Sequence, residues 1–518
     1  MESSEIRIKE PNIFKRFLEG CKTFFTKSVP NFFTKKIPNF FKAIWRGIKN
    51  FGINFAKRFK EGSIGTKLSH IIMGFGNIYH GQIAKGIIYF LIEVLFFLYM
   101  ILCPSVTGPG GVKVPTGYKS LGNLALQGSE GRGFDPITFE TIPDDSSQLF
   151  LLFGLVTIAI IALFIILYIS NLKSSFKADN DVKEGKKPTT FVEDLKALLD
   201  NKFHVLMISP TCIAALVFTV LPTIFMICIA FTTYNDIDMQ KEPVTSLFHW
   251  NGLSNFAAIF SGGSTLGKEI NGRFLPILGW TIIWAFFATF TCYFGGIILA
   301  LLINKKGLKG KKVYRTIFIL TIAIPQFISL LAMRNLLSGE GPINSMLMNW
   351  GWIDKPISFL GMNAGDKDPT LARVMVIIIN MWLGIPYTML MTSGILMNIP
   401  ADLYEAARVD GTSRMKMFFK ITLPYIIFVT TPYLISSFIG NINSFNTIFL
   451  LTGGGPAVDT YKGGGTDLLV TWLYKLTIDN GMYNTGAVVG ILTFLITSTV
   501  TLITYRRSKA YNEEDTFQ

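Results

Sequence analysis

The residues best equipped for chemistry in this chain are polar ones set inside apolar runs. Ser437, Asn441 and Ser444 fall at i, i+4 and i+7 within residues 434–449, one face of a helix. Asn443, Asn446 and Thr447 add polarity beside them, and Gln326, Asn380, Trp382 and Tyr387 sit in two other apolar stretches. Amides and hydroxyls beside aromatic rings suit an uncharged sugar, held by hydrogen bonds and stacking. The same groups would equally serve hydrogen bonds between helices, worth about 0.6 kcal/mol per contact. A second polar set stands between two long apolar stretches: Glu405-Ala406-Ala407-Arg408-Val409-Asp410-Gly411, then Ile421-Thr422-Leu423-Pro424. Arg408, Arg414, Lys416 and Lys420 put this hairpin on the cytoplasmic side of a membrane. Pro400 stops the preceding helix, and Asp402 with Glu405 has the spacing of a capping box that starts a new one. Ala406 and Ala407 keep that helix slim enough for another backbone to approach. Asp410-Gly411 supplies a turn, since glycine accepts positive φ without steric cost. Residues 413–420 read as a second short helix, ended by the restriction Pro424 places on Leu423.

The elements that must position these residues are membrane helices. Half of the 518 residues are hydrophobic and mean hydropathy is +0.43, too apolar for an ordinary soluble protein. A span needs roughly 20 mostly apolar residues, which predicts an all-α polytopic fold with eight spans near 85–103, 149–171, 205–232, 275–303, 313–336, 371–396, 425–451 and 485–505. Glu93 inside the first span calls for a bundle-facing position or a partner. Residues 1–85 hold sixteen Lys/Arg and 304–315 hold six without an acid, whereas 104–148 hold only Lys113, Lys119 and Arg132. With Arg506, Arg507 and Lys509 past the last span, both termini are expected in the cytoplasm of a bacterial cell, the chain lying in its cytoplasmic membrane. The net charge of +14 is then a topology signal, and nucleic acid is not an expected partner.

The amino-terminal region repeats Phe24-Phe25, Phe32-Phe33 and Phe40-Phe41 every eight residues among Lys15, Arg16, Lys22, Lys27, Lys35, Lys36, Lys42 and Arg46. Aromatic pairs with interleaved cations suit the face of an anionic bilayer, at about 1 kcal/mol per cation. A basic tail that only enforces orientation fits the same residues. Five cysteines without Cys-x-x-Cys spacing and four scattered histidines support neither a disulfide framework nor a metal site. The stretch Gly262-Gly263-Ser264-Thr265-Leu266-Gly267-Lys268-Glu269 approaches a P-loop but has Glu269 where the magnesium-binding hydroxyl belongs. No cofactor site and no ATPase are expected in this chain.

Residues 400–424 resemble the EAA loop of ABC-importer permeases. From about residue 205 onward, the chain resembles the MalF-like permeases of maltose/maltodextrin importers. The supporting stretches are 316–329 with Pro325, Asn380-Met381-Trp382-Leu383-Gly384-Ile385-Pro386-Tyr387, the EAA-like loop, and Leu451-Thr452-Gly453-Gly454-Gly455-Pro456. The resemblance implies coupling to a separate ATPase through Glu405, Ala406, Ala407, Asp410, Gly411, Ile421, Leu423 and Pro424. It implies sugar contacts at Ile322, Gln326, Asn380, Gly384, Ser437, Asn441 and Ser444. Implied partners are a second, homologous permease, two ATPase subunits that bind ATP and magnesium, an external sugar-binding protein, lipid, and an oligosaccharide of maltodextrin type or, alternatively, raffinose or another type. Expected regions are a basic 1–84, two extra spans in 85–171, a linker 172–204, a permease core 205–505 and a tail 506–518. Ile322 is apolar where a maltose-type site favours polar or aromatic residues. The loop between the third and fourth spans is too short for a large external domain, and 461–465 is longer than the family's usual connection. A secondary transporter would use embedded acids or an inverted repeat, of which Glu93 alone is present. A non-transporting scaffold does not account for the polar face at 437–444.

Overall fold

Long apolar runs leave the backbone no partner in lipid but itself, so helices dominate. The computed structural model describes residues 37–103, 105–107, 113–126, 133–134, 141–142, 147–235, 248–261, 272–305, 307–363, 365–457 and 463–507. The P-loop-like stretch 262–269, the Phe pairs at 24–25 and 32–33, and Tyr461-Lys462 lie outside them. The chain divides into two compact units, Met1–Asn251 and Gly252–Gln518.

The first unit runs α1 (Ile37–Glu61), α2 (Ile64–Leu68), α3 (Phe75–Tyr79) and α4 (Ile83–Leu102). Strands β1 (Ser105–Thr107) and β2 (Lys113–Pro115) form one antiparallel ribbon, with Val106 opposite Val114. Helix α5 (Gly117–Leu126) separates it from a second ribbon, β3 (Gly133–Phe134) with β4 (Thr141–Ile142). Then come α6 (Ser147–Lys183), α7 (Phe191–Leu199) and α8 (Phe203–Ile229). Helix α6 has 37 residues, about 55 Å, so it outruns a hydrocarbon layer of about 30 Å. The α2–α3 segment is a polar knot. Glu93 accepts from the Met73 amide at 2.8 Å, and Asn171 accepts from the Gly74 amide at 2.9 Å. Glu93 thus has the partner its position demanded. Gly74 sits at φ +82°, where a Cβ would lie 2.0 Å from the Gly86 carbonyl oxygen.

The second unit contains α9 (Ser254–Ser261), α10 (Phe274–Asn304), α11 (Lys311–Ala323), α12 (Gln326–Leu336), α13 (Pro342–Asn349) and α14 (Thr370–Met397). It continues through α15 (Ala401–Val409), α16 (Arg414–Ile442), α17 (Phe445–Leu451), α18 (Leu469–Tyr474) and α19 (Tyr483–Arg507). Helix α10 is its pillar: Trp284 and Ala288 are buried with Leu330, Val376, Ile448 and Leu468 from four other segments. Gly296 admits α14, since a Cβ there would lie 2.4 Å from the Thr388 side chain.

Among the described residues, seven helices are long and apolar enough to span, and an eighth only if α11 and α12 count as one. Those two replace the single expected helix 313–336 and are bent by 92°. Pro325 lacks the amide that would continue the ladder, and its ring holds Ile324 extended at ψ 127°. The expected span 425–451 is also corrected. It begins at Arg414 and ends at Ile442, and α17 is a separate helix.

The glycine-rich connection before α18 gains a physical account. The Asp467 carboxylate is fully buried, accepting from Lys475 at 2.7 Å, from the Thr471 hydroxyl at 2.9 Å and from the Gly464 amide. Gly454 lies against it at φ +85°, where any side chain would strike the carboxylate. Thr452 and Thr466 meet at 2.8 Å, and Arg373 donates to the Gly465 carbonyl while stacking 4.6 Å over Trp280. The buried charge is thereby paired and fully hydrogen-bonded, as burial requires.

Candidate functional site

Two sets of expected residues occupy opposite ends of α16. At its amino end is the hairpin. Helix α15 starts just after Pro400, whose side chain offers no cap; the Asp402–Glu405 capping box does not form, because Asp402 already lies inside the first turn. Glu405 and Ala406 are exposed and Ala407 half-buried. Asp410 caps the carboxyl end and Gly411 turns the chain at φ +67°, with the Thr412 amide returning to the Ala407 carbonyl at 2.9 Å. Ser413 caps the second arm by accepting from the Lys416 amide. That arm does not stop at Leu423: a π turn at Phe418–Thr422 absorbs the strain before Pro424, which sits in the first turn of the following α-helical stretch. Ile421, Leu423 and Pro424 therefore belong to the root of α16. Tyr404 and Thr422 join the two arms through a 2.8 Å hydroxyl contact.

Sequence reasoning passed over the apolar residues of this polar hairpin. Val409 is 89% exposed and Met415 68%, with Leu403 and Phe419 also outside. Their signal was present, namely apolar side chains at the tip of a charged loop. Exposed apolar side chains on a hairpin that also exposes Glu405, Arg408, Arg414 and Lys416 have the character of a docking surface.

At the other end, Asn441 donates to the Thr289 hydroxyl at 2.9 Å, and its own carbonyl accepts from Trp284. Asn380 on α14 donates to the Cys292 sulfur at 3.5 Å. Thr289 and Cys292 are one turn apart on α10, so the pillar gathers Asn441 and Asn380 onto adjacent turns of one face. Gly384 lies there for packing, since a Cβ would meet the Cys292 sulfur at 2.6 Å. Lower on the same helices, Tyr293 bonds Thr430 at 2.6 Å, and the Tyr387 and Tyr433 rings stand 5.9 Å apart, with Tyr387 exposed.

Ser437 is half-buried on α16. Ser444 departs from the expected face: α16 ends at Ile442, and Ser444 precedes α17 with ψ 78°, its hydroxyl on Thr447 at 3.0 Å. Ile322 and Gln326 flank the α11–α12 bend, both exposed. Among the described residues no hydrogen bond ties Gln326 to Asn380 or Asn441. Thr289, missed from sequence, was detectable as a hydroxyl inside an apolar stretch of α10.

Similarities to known proteins bear on this arrangement. The family of binding-protein-dependent transport system inner membrane components matches residues 292–509. The maltodextrin transport system permease protein MalC of Streptococcus pneumoniae is 32% identical, the match covering 90% of this chain and 99% of that one. The galactooligosaccharides transport system permease protein GanP of Bacillus subtilis is 30% identical, covering 86% and 98%. The maltose/maltodextrin permease MalF of Escherichia coli is 38% identical over 264 residues, half of this chain and 49% of that one.

Proposed function

Because this chain belongs to the binding-protein-dependent permeases, the membrane subunits of ABC importers, we propose that it moves an oligosaccharide of maltodextrin type into the cytoplasm. The drive comes from a separate ATPase seated on residues 400–424. The observation that carries this reading is the hairpin itself, a hydrogen-bonded helix–turn–helix with Val409 and Met415 uncovered at its tip. The assembly contains a second, homologous permease, two ATPase subunits that bind ATP and magnesium, and an external binding protein. This chain has no ATPase site of its own, and its termini face the cytoplasm.

Helix α16 is the lever. It runs 29 residues, about 42 Å, from the hairpin to Asn441. A shift of α15 reaches its root through Tyr404 and Thr422, and the π turn there is the place where the helix can yield. At the far end the same movement changes the Asn441–Thr289 contact against the α10 pillar. An exchange of that hydrogen bond for a sugar hydroxyl would tie substrate release to hairpin position. Gln326, Asn380, Ser437 and the Tyr387–Tyr433 pair line the remaining route, while Gly384 keeps α14 close to α10 and Ser444 stands at its outer end.

A galactooligosaccharide is the second reading, favoured by the similarity to GanP across nearly its whole length. The test is ATPase activity of the assembled complex with its binding protein, titrated with maltotriose and with a galactotriose. Stimulation by maltotriose alone is expected. Stimulation by the galactotriose alone would replace the first reading with the second, and a response to neither would remove both.

A further inference from the structure

Helix α1 carries two unlike faces. At 100° per residue, Trp45, Phe51, Phe55 and Phe59 fall within an arc of about 120°. Lys42, Arg46, Lys49, Lys57 and Lys60 occupy the opposite side, and Glu61 is the helix's only acid, loosely paired with Lys57. Ile53 and Arg58 are the exceptions to the division. Among the described side chains, the apolar face is covered at its carboxyl end. Phe55 and Phe59 pack edge-on against the His70 ring at 4.7 and 5.4 Å. Trp45, two turns and more further out, is 69% exposed.

The anchored end sits where a span leaves the membrane. The Ser63 amide donates to Asp179 at 3.0 Å, and Lys183 donates to the Glu61 carbonyl at 2.8 Å, both partners lying in the last two turns of α6. That end of α6 is cytoplasmic in the topology proposed above. A helix held at this level with one aromatic face and one cationic face fits a surface that is apolar beneath and negative above.

We propose that α1 lies in the plane of the cytoplasmic leaflet as a docking element for anionic lipid. Trp45 and Phe51 enter the headgroup–acyl boundary, and Lys42, Arg46, Lys49 and Lys60 pair with lipid phosphates. The occupant is lipid because the polar face is almost uniformly cationic, whereas a protein groove would face a mixture of charges. Anchoring at Ser63 and Glu61 converts lipid charge into a restraint on the α4–α6 pair.

The experiment places single thiols on the two faces of the full chain in nanodiscs. Trp45→Cys and Asn50→Cys variants are treated with a water-soluble maleimide, and labelling is read peptide by peptide, so the native cysteines remain. In phosphatidylglycerol nanodiscs the Trp45→Cys variant is expected to react about tenfold more slowly than the Asn50→Cys variant. The difference should shrink in phosphatidylcholine, in about 1 M salt, where charges are screened within about 3 Å, and on adding Lys42→Gln, Lys49→Gln and Lys60→Gln. Equal reactivity in phosphatidylglycerol overturns the proposal. So does protection that persists in neutral lipid and high salt, which would mean that protein covers the face. Nanodiscs expose both membrane faces, so neither result depends on which one is cytoplasmic.

Discussion

At the scale of single residues, Asn441 has two claims on it, the sugar path and the bond to Thr289. Asn441→Leu keeps the volume and removes donor and acceptor together. Transport should fall about 2- to 10-fold, equivalent to about 0.5–1.5 kcal/mol per lost bond. Thr289→Val removes the helix contact alone and should leave sugar preference unchanged. If both variants give equal losses with identical sugar profiles, Asn441 is a strut between helices and has no part in recognition. His80 supports a pH prediction. Its ring lies 3.5 Å from Asp179 and 3.2 Å from the Ser63 hydroxyl, with Tyr79 edge-on. Burial lowers its pKa below the usual 6.5; the attraction of Asp179 opposes this and the repulsion of Lys183 adds to it. The unfolded chain therefore takes up a proton first as pH falls. His80 costs no stability well above pH 6.5, and its penalty grows below that value toward the lowered folded pKa. Melting temperature in detergent should drop as pH falls below about 6.5, and His80→Gln should flatten that dependence. An unchanged slope in the variant would remove His80 from the account.

At the scale of elements, the hairpin's value lies in rigidity combined with an uncovered tip. Val409→Asp with Met415→Asp places two charges where an ATPase cleft would desolvate them, while the isolated permease, exposed at both sites, loses little. Retention of the ATPase on the purified complex should weaken about tenfold or more. Wild-type retention would mean that the tip is solvent-facing in the assembly. Gly411 makes a separate point. Its φ of +67° is closed to proline, so Gly411→Pro should uncouple sugar-stimulated ATPase activity by unseating the turn. The capping box expected at Asp402 failed for a related reason. Proline at position 400 takes the cap position, and Asp402, already in the first turn, is not placed as the cap residue of a box.

At the scale of the whole molecule, the proposed topology rests on charge asymmetry. Basic residues crowd the segments 1–85 and 304–315, and the proposed topology assigns these and the hairpin's four cations to the cytoplasm. Fusing a fluorescent protein to either terminus should give fluorescent cells. A periplasmic-type phosphatase inserted within 104–146 should be active. An active phosphatase at either terminus would invert this arrangement. The coupling lever would be unaffected as a structure, but its hairpin would then face away from cytoplasmic ATP.

Most of the spans and the hairpin were legible in the amino-acid sequence because each rests on a local signal. Twenty apolar residues match a hydrocarbon thickness, cations resist translocation, and glycine at 411 permits a backbone that other residues resist. What tertiary structure decided were relations between distant segments. Asn441 finds Thr289 across 152 positions, and Asn380 finds Cys292 across 88. The close approach of α14 to α10 turns Gly384 into a packing residue. Even the end of α16 at Ile442 was invisible, since an apolar run such as 425–451 satisfies one long helix as well as two. Only the competing partners of the folded chain, Thr447 for Ser444 and α10 for Asn441, choose between them.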